Sequence, residues 1–211
     1  MRFSTLFTAL AVVATGASAA TFSSSAISSA TKLTSANHYG APIAPWKAGH
    51  YPGWYYGKGV PPKGVTCFLD EVDILYLMLF CELLDLFPFG YHCPKPPQNP
   101  PPNNPPPPPE YSQTFYSLTC AIQDDSYLTY GLVDTVADCE AMCDSVYGCT
   151  FFNTYHDVNG KNGSLQLTCA LFGKCLTASS ADNCGGQTQP DGTVDYITNS
   201  DGYCKKTATG Y

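Results

Sequence analysis

Eleven cysteines in 211 residues constrain this chain more than any other feature. Eight of them, Cys120, Cys139, Cys143, Cys149, Cys169, Cys175, Cys184 and Cys204, fall between residues 111 and 211. An even set at that density reads as a disulfide framework, which forms in an oxidising compartment and disfavours a cytosolic home. Zinc is the competing use of so many thiols. Its frameworks favour CxxC pairs or paired histidines, whereas Cys139 and Cys143 are spaced CxxxC. No metal and no cofactor is expected.

Between the cysteines the apolar residues follow two periods. From Thr135 to Tyr147, Val136, Cys139, Met142, Cys143 and Val146 recur at helical spacing, with Asp138, Glu140 and Asp144 turned away from them. Thr135 followed three residues later by Asp138 approximates a capping box, and Gly148 fits the stop. Cys139 and Cys143 then lie one turn apart on the buried face and should bridge to whatever that face covers. Leu165, Leu167, Cys169 and Leu171 instead alternate with Gln166, Thr168 and Ala170, as in a half-buried strand. Cys149 to His156 reads as its hairpin partner, joined through Asn159-Gly160 and Asn162-Gly163. Asp191-Gly192 and Asp201-Gly202 mark further turns, and Val194 to Thr198 is another strand. Residues 111–211 therefore read as an α+β domain, one helix on antiparallel sheet.

The upstream chain is built differently. Arg2, the apolar run Leu6 to Val13 and Ala17-Ser18-Ala19 form a secretion-signal pattern over residues 1–19. Residues 20–66 begin rich in Ser and Thr and then turn aromatic, with Trp46, Tyr51, Trp54, Tyr55 and Tyr56 among Gly and Pro. Trp46, Trp54 and Tyr55 are candidate ligand-stacking rings, set against the plainer reading that they pack on their own neighbours. Residues 67–93 are strongly apolar and read as one acidic-edged helical segment, with a strand-rich alternative. Its longest uncharged run, Ile74 to Cys81, is too short to cross a bilayer, so no transmembrane segment is expected after signal cleavage. Eleven prolines between Pro94 and Pro109 make 94–110 a polyproline spacer between two units.

Cys67, Cys81 and Cys93 are an odd set. On one helix Cys67 and Cys81 stand ~21 Å apart, too far for a bridge. Cys81 can meet Cys93 across Pro88 and Gly90, which leaves Cys67 as a candidate for a disulfide-linked homodimer.

Charge narrows the partners. The net charge is −7, and residues 111–211, with four Lys against eleven Asp or Glu, carry all of it. Such a surface repels phosphate backbones, so nucleic acid is excluded as a partner.

The stretch Cys139-x3-Cys143-x5-Cys149, then Phe152, then Cys169-Ala-Leu-Phe172, resembles the core of the PAN/apple family. Tyr127–Ser145 (YLTYGLVDTVADCEAMCDS) and Asn153–Ser164 (NTYHDVNGKNGS) are similar to the secreted fruiting-body-specific proteins of mushroom-forming fungi. The family resemblance implies a helix stapled to a central antiparallel sheet, with bridges Cys139–Cys169, Cys143–Cys149 and Cys120–Cys204; Cys175 and Cys184 are left as a fourth pair. It also implies a non-catalytic module that binds a carbohydrate or an extracellular protein at the cell surface or matrix.

Candidate chemistry is sparse. There is no GxSxG elbow and no HExxH helix. Asp124 and Asp125 offer paired carboxylates for glycoside hydrolysis, yet adjacent acids in a turn are usually solvated. His156 beside Asp157 should point to the opposite strand face, and His92 beside Cys93 is adjacency alone. In the loop from Asp157 to Gly163, Lys161 stands where a calcium ligand is needed. Asn162-Gly163-Ser164 is an N-glycosylation sequon on that turn. The chain is expected to be a binding protein and not an enzyme; the alternatives are a secreted hydrolase with an unrecognised site, or a structural wall protein assembling through 67–93.

Overall fold

The computed structural model describes residues 33–57, 59–65, 67, 110–189 and 191–206. The expected signal peptide, the 67–93 segment beyond Cys67, its Cys81–Cys93 bridge and the proline stretch before Glu110 lie outside the described residues.

Among the described residues, seven strands and one α-helix carry the architecture: β1 (Tyr55–Tyr56), β2 (Tyr111–Leu118), β3 (Tyr127–Val133), α1 (Val136–Ser145), β4 (Phe151–Val158), β5 (Leu167–Phe172), β6 (Gly185–Thr188) and β7 (Val194–Lys205). They form one sheet in the order β1-β3-β5-β4-β7-β2, with β6 beside β7. Its pairs are antiparallel except at one edge, where β1 runs parallel to β3. The domain is thus a mostly-sheet, disulfide-stapled α+β module. No helix among the described residues is long and apolar enough to cross a membrane.

Helix α1 forms where the periodicity places it. The Thr135 hydroxyl accepts from the Asp138 N–H at 3.1 Å, and the Asp138 carboxylate accepts from the Thr135 N–H at 3.0 Å. Each satisfies an amide the first turn would otherwise leave open. The helix buries Cys139, Met142 and Cys143 against Phe152 and Leu171 of the sheet. Phe151 and Phe172, pointing the other way, pack with Phe115, Ile122, Tyr130 and Ile197. Because successive side chains of a strand alternate faces, β4 and β5 feed both layers, and both strands are buried almost throughout.

The aromatic segment packs directly onto this module. Tyr55 and Tyr56 pair with Leu132 and Val133, and the Leu132 N–H donates to the Trp54 carbonyl at 2.8 Å. Leu33, Tyr39, Trp54 and Tyr56 share one core cluster with Met142 and Val146 of the helix side. Gly131 allows this approach, since a Cβ there would lie 2.6 Å from the Trp54 carbonyl oxygen. Cys67 forms an isolated parallel bridge with Tyr55, and its half-buried thiol faces the Gly57 carbonyl.

The helix is stapled by Cys139–Cys169 to β5 and by Cys143–Cys149 to the start of the following strand. The outer four cysteines pair as Cys120–Cys184 and Cys175–Cys204, which corrects the expected Cys120–Cys204 and Cys175–Cys184. A local backbone contact explains the exchange. Ala121 and Asn183 exchange hydrogen bonds at 2.7 and 3.0 Å, so their neighbours Cys120 and Cys184 come within 4.0 Å between Cα atoms. Cys204, packed against the Phe115–Phe151 layer, is then met by Cys175 from the chain just past β5.

Candidate functional site

Residues 41–52 form a loop because Pro42, Pro45 and Pro52 deny it a ladder and Gly49, at φ +78°, turns it. Trp46 stands at its centre, half-buried and fixed by other rings. It lies parallel to Phe172 (centroids 6.3 Å apart, planes 4° apart) and edge-on to Tyr127 at 5.4 Å. Tyr127 is in turn stacked by His38 and donates its hydroxyl to the Ala41 carbonyl at 2.9 Å.

A cleft of about 1020 Å³ opens on one side of Trp46, between this loop, the β4–β5 turn and β6. Trp46, His50 and Tyr51 supply its rings, and Gln166, Gln187 and Gln189 its planar amides. Ser164 and Thr188 add hydroxyls, and Lys63 and Lys161 are its two cations. No carboxylate side chain lines it among the described residues, in a chain of net charge −7. The Ser164 hydroxyl donates to Gln166 Oε1, and the Gln187 N–H donates to Asp195 Oδ1 at 2.5 Å. The polar wall is therefore held in place from behind.

Beneath the cleft lies a buried polar cluster. Lys161 enters at φ +50°, in the left-handed region that costs a non-glycine residue about 1–2 kcal/mol. Its side chain is 3 % exposed and ion-paired with Asp157, itself 5 % exposed. The ammonium also sits 5.7 Å from the centre of the Tyr130 ring. Gly160 leaves room for the Asp157 carboxylate, which a Cβ would strike. His50 Nδ1 and the Tyr130 hydroxyl share a 2.9 Å hydrogen bond. Burial, and then the charge of Lys161, push the His50 imidazole down to about 4, with Asp195 pulling the other way. Burial likewise holds Lys161 below the usual lysine range, against the pull of Asp157.

A second cleft of about 520 Å³ also borders Trp46, with His38, Lys47, Gln123, Asp124, Asp125 and Tyr127 in its walls. Asp124 accepts from the Ser126 N–H and hydroxyl at 2.8 and 2.7 Å and pairs with Lys174 at 3.0 Å. Burial alone would raise its carboxyl, but these partners together hold it below the ordinary aspartate value.

The structure thus brings Trp46, Asp124 and Asp125 to one surface and sends other candidates elsewhere. Trp54 and Tyr55, expected as stacking rings, are core residues at 7 % and 0 % exposure. Trp54 donates its indole N–H to the Tyr39 carbonyl at 3.2 Å, and Tyr55 its hydroxyl to Asp134 at 2.5 Å. They are corrected to packing residues, and the exposed ring beside the cleft is Tyr51. His156 and Asp157 diverge, the first half-buried and the second engaged by Lys161 in the interior. Asn162 of the sequon lies in the short 3-10 turn Lys161–Gly163, whose Lys161 and Gly163 line the cleft. Among the described residues, no group of three or more His, Cys, Asp or Glu could hold a metal ion.

Sequence reasoning missed His50, Lys161, Gln166, Gln187 and Gln189 as a set. They come from separate stretches of chain, and no spacing rule links them. No protein-family model matches this chain, and neither does any curated protein or solved structure compared with it.

Proposed function

We propose that this protein is a secreted, non-catalytic binding module of PAN/apple type that recognises a neutral carbohydrate at the cell surface or in the extracellular matrix. The resemblance to fruiting-body-specific proteins supports a role in fungal development. The observation that carries the reading is the larger cleft. A ring-fixed Trp46, the exposed Tyr51 and three glutamine amides surround a space with no carboxylate in its lining among the described residues. Aromatic faces take the apolar C–H face of a sugar ring, while amides and hydroxyls match its alternating donors and acceptors. A concave site with a few convergent polar groups is the usual form of a small-ligand site. Four disulfides support an oxidising, extracellular setting. The non-catalytic reading draws on Asp124, whose carboxyl is held below the ordinary aspartate value and not raised as a glycosidase general acid's would be.

The test is co-sedimentation of the purified full chain with insoluble chitin and β-glucan. Retention on at least one polysaccharide is expected, with retention lost in Trp46→Ala and reduced in Gln187→Ala. A folded wild-type protein that binds neither, or one that releases reducing sugar from either, would overturn the proposal.

A further inference from the structure

The two clefts share one wall. Ala44, Trp46 and Lys47 face the smaller space, and Trp46, Ala48, Gly49 and His50 face the larger. Consecutive residues of one loop therefore serve both, and the Trp46 ring stands where they meet. The larger space alone reaches the top of the range of about 300–1,000 Å³ that a compact small ligand fills. The smaller adds a further 520 Å³, and among the described residues both are open to solvent, so a chain can run on past either.

Charge limits what can run through. A polyanion entering the larger cleft would meet Asp124 and Asp125 in the smaller. A polycation would meet Lys63 in the larger cleft and Lys47 in the smaller. A neutral chain rich in hydroxyls suits both ends, since exposed Asp125 and Gln123 accept hydrogen bonds from hydroxyls as readily as Gln187 and Gln189 do. Trp46 is already locked by Phe172 and Tyr127, so little entropy is lost in ordering it under a ligand.

From these observations, and resting on the carbohydrate reading above, we infer that the ligand is a neutral linear oligosaccharide. It lies across Trp46 with sugar units in both clefts, so the module grips the interior of a chain and not a single sugar or a chain end.

Calorimetric titration of the full chain with cello-, laminari- and chito-oligosaccharide ladders, from disaccharide to octasaccharide, tests this. In the ladder that binds, affinity should climb by about tenfold or more between the disaccharide and the longest member, then level off once both clefts are filled. Gln123→Ala, in the smaller cleft, should weaken the long members while leaving the disaccharide unchanged. Gln187→Ala, in the larger, should weaken every member, and Trp46→Phe should keep the length dependence that Trp46→Ala abolishes. Equal affinity along a ladder, with Gln123→Ala silent throughout, would overturn the chain-spanning inference and leave carbohydrate binding standing. Oligogalacturonates binding more tightly than every neutral ladder would overturn the neutral class. Absence of binding to any carbohydrate would remove the functional proposal and this inference together.

Discussion

His50 is the residue whose protonation couples most directly to the cleft. Lys161, Asp195 and the Tyr130 hydroxyl act on it from three other parts of the fold. Its folded value of about 4 lies below its ordinary 6.5. As pH falls through that window the unfolded chain takes up a proton that the folded chain refuses, so stability declines. Above 6.5 the contribution is complete and flat; across the window up to about 3 kcal/mol is lost. Urea unfolding near pH 7 and near pH 4 should show a smaller difference for His50→Asn than for wild type, and identical pH dependence in the two would contradict the assignment. Lys161 has a different role. Removing it by Lys161→Met leaves the Asp157 carboxylate buried without its cation, which costs about 3–5 kcal/mol. Adding Asp157→Leu should restore most of that loss, measured by the same unfolding titration. Neither residue announces this in the sequence. His50 sits in a Gly- and Pro-rich loop without period, and the Asp157–Lys161 spacing in a turn resembles a failed calcium loop more than a buried ion pair.

Elements were legible where a local rule was strong. Thr135, Asp138 and the spacing of Cys139, Met142 and Cys143 give α1 almost to the residue, while the alternation around Leu167 and Cys169 locates β5 but predicts one buried face where both are buried. β2 escaped because its alternation is broken by irregular pairing on either side of Phe115 and by Ser117 at φ +53°. β3 escaped for the opposite reason: Thr129 to Val133 are buried on both faces, so no polar period marks them. The outer disulfides depend on the Ala121–Asn183 contact, which joins distant chain and has no local signature. Non-reducing peptide mapping should recover Cys120–Cys184 and Cys175–Cys204; recovery of Cys120–Cys204 would contradict the fold at that corner. At the β1–β3 edge, Gly131→Ala should cost about 1–3 kcal/mol through the contact with the Trp54 carbonyl. Amide exchange should then quicken over residues 53–56 while β4 and β5 stay protected; uniform protection would show the edge to be looser than described.

At the scale of the whole molecule, the sheet order puts β1 and β2 on opposite edges of one sheet. Five inter-strand steps of ~4.8 Å separate them. Cys67 is bridged beside Tyr55 near the first edge, and the Glu110 carbonyl accepts from the Lys206 N–H at 2.8 Å beside the second. Cys67 and Glu110, the described residues on either side of the segment that holds the proline-rich stretch, are therefore both anchored to one sheet. The four described disulfides lie wholly between Cys120 and Cys204, and none crosses that stretch. A prolyl endopeptidase cut there should leave a particle of unchanged hydrodynamic size, which separates into two fragments in detergent without any reductant. Two fragments that drift apart in native buffer would show the Trp54–Met142 packing to be too weak to hold them. If they stay together, the chain is a natural split protein: its halves, made separately, can complement each other, and because Trp46 and His50 belong to one and Lys161 and Gln187 to the other, neither half alone carries a complete cleft.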